Sequence, residues 1–143
     1  MSLLEILVGA SGLAIGYWLV SVFLSSPRPS SDAPQDRAAD AKYTIKPCAD
    51  RLGKLLGKPV KFVGDCVGPE VQNAVAGLQA GDVLLLENVR FYEAEQIKDK
   101  KAKDDPALAE KKKSFGKQLA GLADVYVNDA FGTCHRDNAS MLT

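Results

Sequence analysis

The hydrophobic positions divide the chain into three stretches of different character. Residues 6–24 contain no charged side chain, and residues 25–41 are rich in proline, serine and charged residues. Residues 42–143 alternate short apolar runs with longer mixed stretches. We therefore predict a hydrophobic leader over residues 1–24, a solvated linker over residues 25–41 and a folded domain over residues 42–143.

The leader has three interpretations. Its uncharged run approaches the ~20 apolar residues that cross a bilayer as a helix. Gly12 and Gly16 have the spacing of closely packed membrane helices. Arg28 and Arg37 follow the run, which favours a cytoplasmic side for the domain. A cleaved secretory signal fits less well because no basic residue precedes the run, and a foreign sequence joined to the domain is the third interpretation. We expect a transmembrane helix, with membrane contact through residues 3–24.

Within the domain, apolar runs bounded by turn residues alternate with stretches of helical spacing. The runs are typical of strands buried on both faces, and two of the helical stretches open with a proline, which suits a first turn. The predicted strands are residues 60–63, 83–86 and 125–127, and the predicted helices are residues 46–56, 69–78 and 106–122. This alternation predicts an α/β fold with a parallel sheet and flanking helices.

Charge and cysteine content exclude several classes of function. Lysine plus arginine number 18 and aspartate plus glutamate number 18, so the chain lacks the positive field of a non-specific nucleic-acid binder. The lysines of residues 98–103 and 111–113 are interspersed with acidic residues at positions 99, 104, 105 and 110, and we interpret these stretches as a solvated loop and helix face. Cys48, Cys66 and Cys134 are irregularly spaced and indicate neither a disulfide framework nor a zinc site.

Candidate chemistry lies in three segments. Ligands of α/β domains bind beyond the carboxyl ends of parallel strands, and residues 64–70, 84–91 and 124–136 follow or span those ends. The first segment is typical of a simple turn. The second runs from a buried strand directly into Arg90, and the third ends in His135 and Arg136.

These segments resemble a known family. Residues 84–91 (LLLENVRF), residues 124–136 (DVYVNDAFGTCHR) and residues 66–70 (CVGPE) resemble successive motifs of phosphoglycerate kinase. The resemblance covers about residues 43–143, and the first two motifs are long and specific. It implies a partial, Rossmann-like N-terminal domain of a two-domain glycolytic kinase, which transfers a phosphoryl group between 1,3-bisphosphoglycerate and ADP to give 3-phosphoglycerate and ATP.

The resemblance also implies a substrate site. By position, Arg90 and Arg136 match two arginines of a basic patch that binds the triose substrate. Gly132 is expected to shape the backbone near the ligand, and His135 lies beside the patch. The predicted substrate-binding residues are therefore Arg90, Gly132, His135 and Arg136. No catalytic residue or metal ligand is assigned.

Other elements of the family have no match in the chain. The opening Asp-Phe-Asn and His-Leu-Gly-Arg motifs are missing, and Mg-ATP and Mg-ADP are implied by the resemblance only, without binding residues here. We expect the 143-residue chain alone to be inactive and to bind 3-phosphoglycerate or 1,3-bisphosphoglycerate weakly. The alternative is a membrane-tethered, non-catalytic binding or interaction module. The resemblance implies a cytoplasmic location, at the cytoplasmic face of a membrane if the leader is an anchor.

The missing elements affect the expected sheet. A parallel sheet without its neighbouring strands has open edges, where backbone N–H and C=O groups have no partner. Because a polar linker separates the leader from the domain, we expect the leader not to replace a missing strand in register.

Overall fold

The structure, a computed structural model, describes residues 4–8, 19–22, 40–130, 132 and 134–141. Short 3₁₀ turns lie at Ala41–Tyr43, Val89–Phe91 and Ala139–Met141. The strands are β1 (Leu4–Val8), β2 (Leu19–Val22), β3 (Val60–Val63) and β4 (Val83–Leu86), and the helices are α1 (Lys46–Leu56), α2 (Pro69–Ala76), α3 (Glu93–Gln96), α4 (Asp99–Asp104) and α5 (Pro106–Ala120).

The three predicted helices are confirmed as α1, α2 and α5, and their ends follow from local chemistry. Helix α1 is closed by Gly57, whose φ of 65° is left-handed and suits glycine. Helix α5 begins after Asp105, whose side chain accepts hydrogen bonds from the backbone N–H groups of Ala107 and Leu108 at 2.9 and 3.4 Å. Helices α2 and α5 each end two residues earlier than predicted, just before Gly77 and Gly121.

The sheet has the order β2-β1-β4-β3. Strand β4 pairs in parallel with β3 on one side and with β1 on the other, while β2 pairs antiparallel with β1. All four residues of β4 are buried, as expected for a central strand. The prediction of an α/β fold with a parallel sheet is confirmed for β1, β3 and β4, whereas β2 makes the sheet mixed.

The transmembrane helix predicted for the leader is wrong where the structure describes the leader. Residues of the leader form β1 and β2, and β1 pairs in register with β4, from Glu5 opposite Val83 to Val8 opposite Leu86. The prediction that the leader would not replace a strand is therefore also wrong. The physical reason is that β4 has backbone N–H and C=O groups on both sides, and a leader rich in leucine, isoleucine and valine can pair with the open side.

The membrane prediction also rests on residues that lie outside the described part of the chain. Gly12, Gly16, Arg28 and Arg37 lie outside the described residues, as does most of the linker over residues 25–41. Across the described ranges, no helix combines the length and apolar character that crossing a bilayer requires.

The core lies on both faces of the sheet. On one face, α2 and α5 pack against alternate residues of β4, with Val71, Leu84 and Phe115 completely buried. On the other face, Ala49 of α1 packs with Val83 and its neighbours. Alternation along β4 therefore divides its side chains between the two faces, which fixes the strand between two helical layers.

The third predicted strand does not form. Residues 125–127 lie outside the four strands of the described sheet, and their side chains are 44%, 39% and 41% exposed. The signal from valine and tyrosine was the same as for β3 and β4. The difference is that β3 and β4 pair with each other in the sheet, whereas the described sheet does not include residues 125–127.

Candidate functional site

Arg90 lies just past the carboxyl end of β4, in the turn Val89–Phe91. The turn begins at Asn88, whose side-chain oxygen accepts a hydrogen bond from the backbone N–H of Arg90 at 3.0 Å. The carbonyl oxygen of Arg90 accepts a hydrogen bond from the Gln96 side chain at 3.2 Å. The backbone of Arg90 is thus held on both sides of its Cα, while its side chain is half-buried. The predicted position of this arginine beyond a buried strand is confirmed.

Glu87 connects the end of β4 to the start of α1. Its carboxylate is 5% exposed and accepts hydrogen bonds from the backbone N–H groups of Ile45 and Asn88 at 2.9 and 2.8 Å. The Thr44 hydroxyl donates to the second carboxylate oxygen at 2.5 Å. A buried carboxylate is tolerated when donors surround it in this way. Glu87 therefore fixes the local backbone rather than offering a free base.

Asp65 fixes the turn that follows β3. Its side chain accepts hydrogen bonds from the Tyr92 hydroxyl at 2.8 Å and from the Cys66 backbone N–H at 2.7 Å. Its carbonyl oxygen accepts one from the Glu87 backbone N–H at 3.1 Å. The turn at residues 64–68 is therefore joined to the segment that carries Arg90, which supports its interpretation as turn chemistry.

Glu95 is the most deeply buried acidic group near Arg90. It is 2% exposed and accepts hydrogen bonds from the Ser140 backbone N–H at 2.8 Å and from the Ser140 hydroxyl at 2.7 Å. Burial raises the pKa of Glu95, while the hydrogen bonds from Ser140 and the charge of Arg90 oppose that rise. The Tyr126 hydroxyl donates to the Ser140 carbonyl oxygen at 2.9 Å, and the partial burial of this side chain, together with the nearby carboxylate of Glu95, raises the pKa of Tyr126 to about 12.

Lys112 is a second buried charge. Its ammonium group donates to Asp99 at 2.6 Å and to the carbonyl oxygen of Asp137, and the residue is only 4% exposed. Asp137 also accepts hydrogen bonds from the Lys98 ammonium group at 2.8 Å and from the Asp99 backbone N–H at 2.9 Å. These two donors lower the pKa of Asp137 to about 2. The interpretation of the lysine-rich stretches as solvated holds for Lys113 but not for Lys112.

The remaining predicted site residues lie on the surface. Gly132, His135 and Arg136 are exposed, and the structure leaves open space where Gly132 would carry a Cβ. The described residues therefore give no steric reason for a glycine at this position. Arg136 directly precedes Asp137, so the anchoring of Asp137 restrains the backbone beside this arginine.

Two segments thus carry the predicted arginines, and polar contacts fasten the second of them to α3 and α5. Arg90 belongs to the turn after β4. Arg136 belongs to what we call the C-terminal segment, residues 134–141, which Glu95 and Lys112 fasten to α3 and α5. Sequence reasoning missed both fastening residues. Glu95 and Lys112 sit among other charged residues, and no spacing distinguished them as buried.

The site offers no metal centre. Within the described ranges, no group of three or more histidine, cysteine, aspartate or glutamate side chains is arranged to hold a metal ion. Cys48, Cys66 and Cys134 are free thiols, so the chain has no disulfide framework.

Comparison with known proteins gives one consistent result. The family model described as phosphoglycerate kinase matches residues 22–143. The chain is 51% identical over 106 residues to a phosphoglycerate kinase of Schizosaccharomyces pombe, and 54% identical over 106 residues to one of Yarrowia lipolytica. Each match covers 71% of this chain and 25% of the relative. The chain thus spans about a quarter of the length of these curated relatives.

A solved structure agrees with the sequence comparison. The crystal structure of phosphoglycerate kinase from Pyrococcus horikoshii OT3 matches with a TM-score of 0.53 and 29% sequence identity. This match covers 68% of the present chain and 22% of the solved chain. The fold similarity is therefore again confined to a small part of the larger protein.

Proposed function

Because the chain belongs to the phosphoglycerate kinase family, we propose that it is part of an enzyme that transfers a phosphoryl group between 1,3-bisphosphoglycerate and ADP. In this proposal the chain supplies part of the triose-binding side, and Arg90, Arg136, Gly132 and His135 contact or border the substrate. The observation that carries the proposal is the position of Arg90, whose backbone is fixed just past the carboxyl end of the central strand β4.

The chemistry of arginine suits this role. A planar guanidinium group can hold a phosphate or carboxylate by two charge-assisted hydrogen bonds and stays charged at every working pH. Arg90 and Arg136 would supply two such groups from two different segments. The contacts of Glu95 with Ser140 and of Lys112 with Asp137 would limit how far those segments move apart.

Phosphoryl transfer needs more than a triose site. The reaction proceeds by holding donor and acceptor in line and by neutralising charge on the transferred group. Membership of the family implies magnesium-bound ATP or ADP as the nucleotide, and we assign no residue of this chain to it. We propose that the 143-residue chain alone catalyses no turnover.

The binding part of the proposal can be tested by titrating the full chain with 3-phosphoglycerate and following backbone amide shifts by NMR. We expect shifts around Arg90 and Arg136, and at least about tenfold weaker binding by the Arg90→Ala plus Arg136→Ala variant. A matched control removes two exposed cations elsewhere, with Arg51→Ala and Lys113→Ala. Equal weakening by both double variants would reduce the effect to net charge and contradict the assigned site.

The proposed inactivity has its own test. Purified chain is mixed with ATP, magnesium and 3-phosphoglycerate, and ADP formation is measured against a buffer blank. We expect no rate above the blank. A rate that Arg90→Ala plus Arg136→Ala abolishes would show that the chain alone performs the transfer, and this part of the proposal would be abandoned.

A further inference from the structure

The described sheet has two outer strands of different character. Its order is β2-β1-β4-β3, so β2 and β3 lie at its two edges. Pro59 directly precedes β3 and Lys61 lies within it, and both residues are exposed. Proline and lysine on an edge strand hinder pairing with the strand of another chain. The β3 edge of the sheet is therefore protected against association.

Strand β2 has neither form of protection. Its sequence is Leu-Val-Ser-Val, and the surrounding run over residues 6–24 contains no charged residue and no proline. Antiparallel pairing with β1, from Leu4 opposite Val22 to Leu7 opposite Leu19, uses one side of β2. Within the described residues, no strand pairs with the other side. An uncharged edge strand with free backbone N–H and C=O groups is a template for a further strand.

The distribution of charge favours a second copy of the chain as the partner. When two identical strands pair antiparallel about a two-fold axis, residues near the axis lie opposite their own counterparts. A charged residue would there meet the same charge, which opposes pairing. Strand β2 contains no charged residue and is compatible with its own copy. The same pairing at the β3 edge would bring two Lys61 ammonium groups together.

From these observations we infer that the outer side of β2 is an interaction surface for a second copy of the chain. Two β2 strands pair antiparallel and join two four-stranded sheets into one of eight strands. This contact is the same for both copies, so it occupies both β2 edges and forms a closed dimer. Because a protected β3 strand lies at each end of the joined sheet, association stops at the dimer.

The dimer keeps the two proposed triose sites apart. Strand β4 is parallel to β1 and β1 is antiparallel to β2, so β4 runs antiparallel to β2. Across an antiparallel junction of two β2 strands, the two β4 strands therefore run in opposite directions. Their carboxyl ends, each followed by Arg90, lie at opposite edges of the joined sheet. The inference thus goes beyond the proposed function, and neither depends on the other.

The first test is sedimentation equilibrium of the full chain over a range of protein concentrations. We expect a monomer–dimer equilibrium without larger species. Ser21 is one of the two central residues of β2, and Ser21→Lys should raise the dissociation constant of the dimer at least about tenfold, because like charges then meet near the axis. Asn73→Lys adds the same charge at an exposed position of α2 and should leave the dissociation constant unchanged.

Opposite charges give a result that a folding defect cannot imitate. Ser21→Lys and Ser21→Glu should each weaken the dimer. An equimolar mixture of the two variants should restore it as a mixed dimer, because opposite charges attract across paired strands. Labelling one variant with ¹⁵N lets native mass spectrometry separate the mixed dimer from the two uniform ones.

Amide hydrogen exchange in the unaltered chain locates the contact without any substitution. Successive N–H groups of a strand point to opposite sides, so dimer formation should slow exchange at alternate residues of Leu19–Val22. A chain that stays monomeric at every concentration overturns the inference. So do a dimer that leaves exchange in β2 unchanged and equal effects of Ser21→Lys and Asn73→Lys.

Discussion

The two segments that carry the predicted arginines are held mainly by different kinds of interaction. Strand β4, which leads to Arg90, is held by parallel strands on both sides and by apolar packing on both faces. The C-terminal segment, which carries Arg136, places Ala139 in the core and is otherwise held by polar contacts from Glu95, Lys98 and Lys112. Apolar burial depends little on pH and salt, whereas carboxylate and ammonium contacts depend on both. We call β4 with the turn Val89–Phe91 the apolar half of the proposed site, and the C-terminal segment, residues 134–141, its polar half. The stability of the two halves should therefore respond differently to pH and salt.

The largest expected effect concerns the apolar half. Leu84 in β4 is 0% exposed, and Leu84→Ala should lower the free energy of unfolding by about 2–5 kcal/mol, because it removes buried methyl groups and leaves a cavity. Leu55 on α1 is 66% exposed, and Leu55→Ala should cost less than about 0.5 kcal/mol. Urea unfolding followed by circular dichroism measures both. Similar losses in the two variants would contradict the central position of β4.

Lys112→Met should weaken the polar half selectively. The methionine keeps the apolar stem but removes the donor to Asp99 and to the carbonyl oxygen of Asp137, which we expect to cost about 1–3 kcal/mol. The backbone N–H of Ser140, which donates to Glu95, reports on this segment by amide exchange. We expect it to exchange faster, with little change in β4.

The matched control for this variant is Lys113→Met, at the next and exposed position of α5. It should leave exchange at Ser140 close to that of the unaltered chain. Equal acceleration by both substitutions would mean that net charge, and not the buried ammonium group, holds the C-terminal segment.

The apolar half was far more predictable from sequence than the polar half. Short apolar runs located β3 and β4, and prolines and Gly57 located the helices, because these signals act over a few neighbouring residues. The same signal failed for residues 125–127, which the described sheet does not include, because strand formation also depends on a pairing partner that the local sequence does not specify. It failed for the leader too, since an uncharged run that is long enough for a membrane helix also supplies strands to an open sheet edge.

The contacts of the polar half join residues that are far apart in the chain. Glu95 meets Ser140, and Lys112 meets Asp137. Nothing in the local sequence marks one glutamate or one lysine as the buried member of its charged stretch. The approximate location of Arg90 was predictable because it follows a buried strand, whereas the anchors beside Arg136 required the fold.

Glu95 gives the polar half a pH dependence of definite sign. Burial raises the pKa of Glu95 above its ordinary value of 4.5, so the folded chain binds this proton more tightly than the unfolded chain. Its contribution to stability is most favourable below pH 4.5 and declines as the pH rises through the raised pKa. Glu95→Gln should remove this decline, so the unfolding free energy of the unaltered chain should fall relative to the variant across that window.

Unfolding curves at a series of pH values measure this difference. Glu110→Gln, at an exposed position of α5, is the control and should leave the pH profile of the unaltered chain in place. A difference between the unaltered chain and Glu95→Gln that does not change with pH would show that Glu95 acts through its hydrogen bonds to Ser140 alone.

The smallest expected effect concerns Asp137, whose contribution to stability depends on pH with the opposite sign to that of Glu95. The hydrogen bonds from Lys98 and from the Asp99 backbone lower the pKa of Asp137 from 3.8 to about 2. Its stabilising contribution is therefore complete above pH 3.8 and is lost as the pH falls towards 2. Asp137→Asn should remove this acid dependence, and because Lys98 is exposed the effect should shrink further in high salt.

The Asp99 backbone N–H donates to the Asp137 carboxylate, so the NMR chemical shift of the Asp99 amide proton reports the ionisation of Asp137. Its shift should titrate near pH 2 in the unaltered chain and should lose that titration in Asp137→Asn. Asp50→Asn, at an exposed position of α1, is the matched control and should preserve it. A midpoint near 3.8 would mean that Asp137 is not held in solution as the structure shows. The backbone beside Arg136 would then lack the restraint that distinguishes the C-terminal segment from a free surface loop.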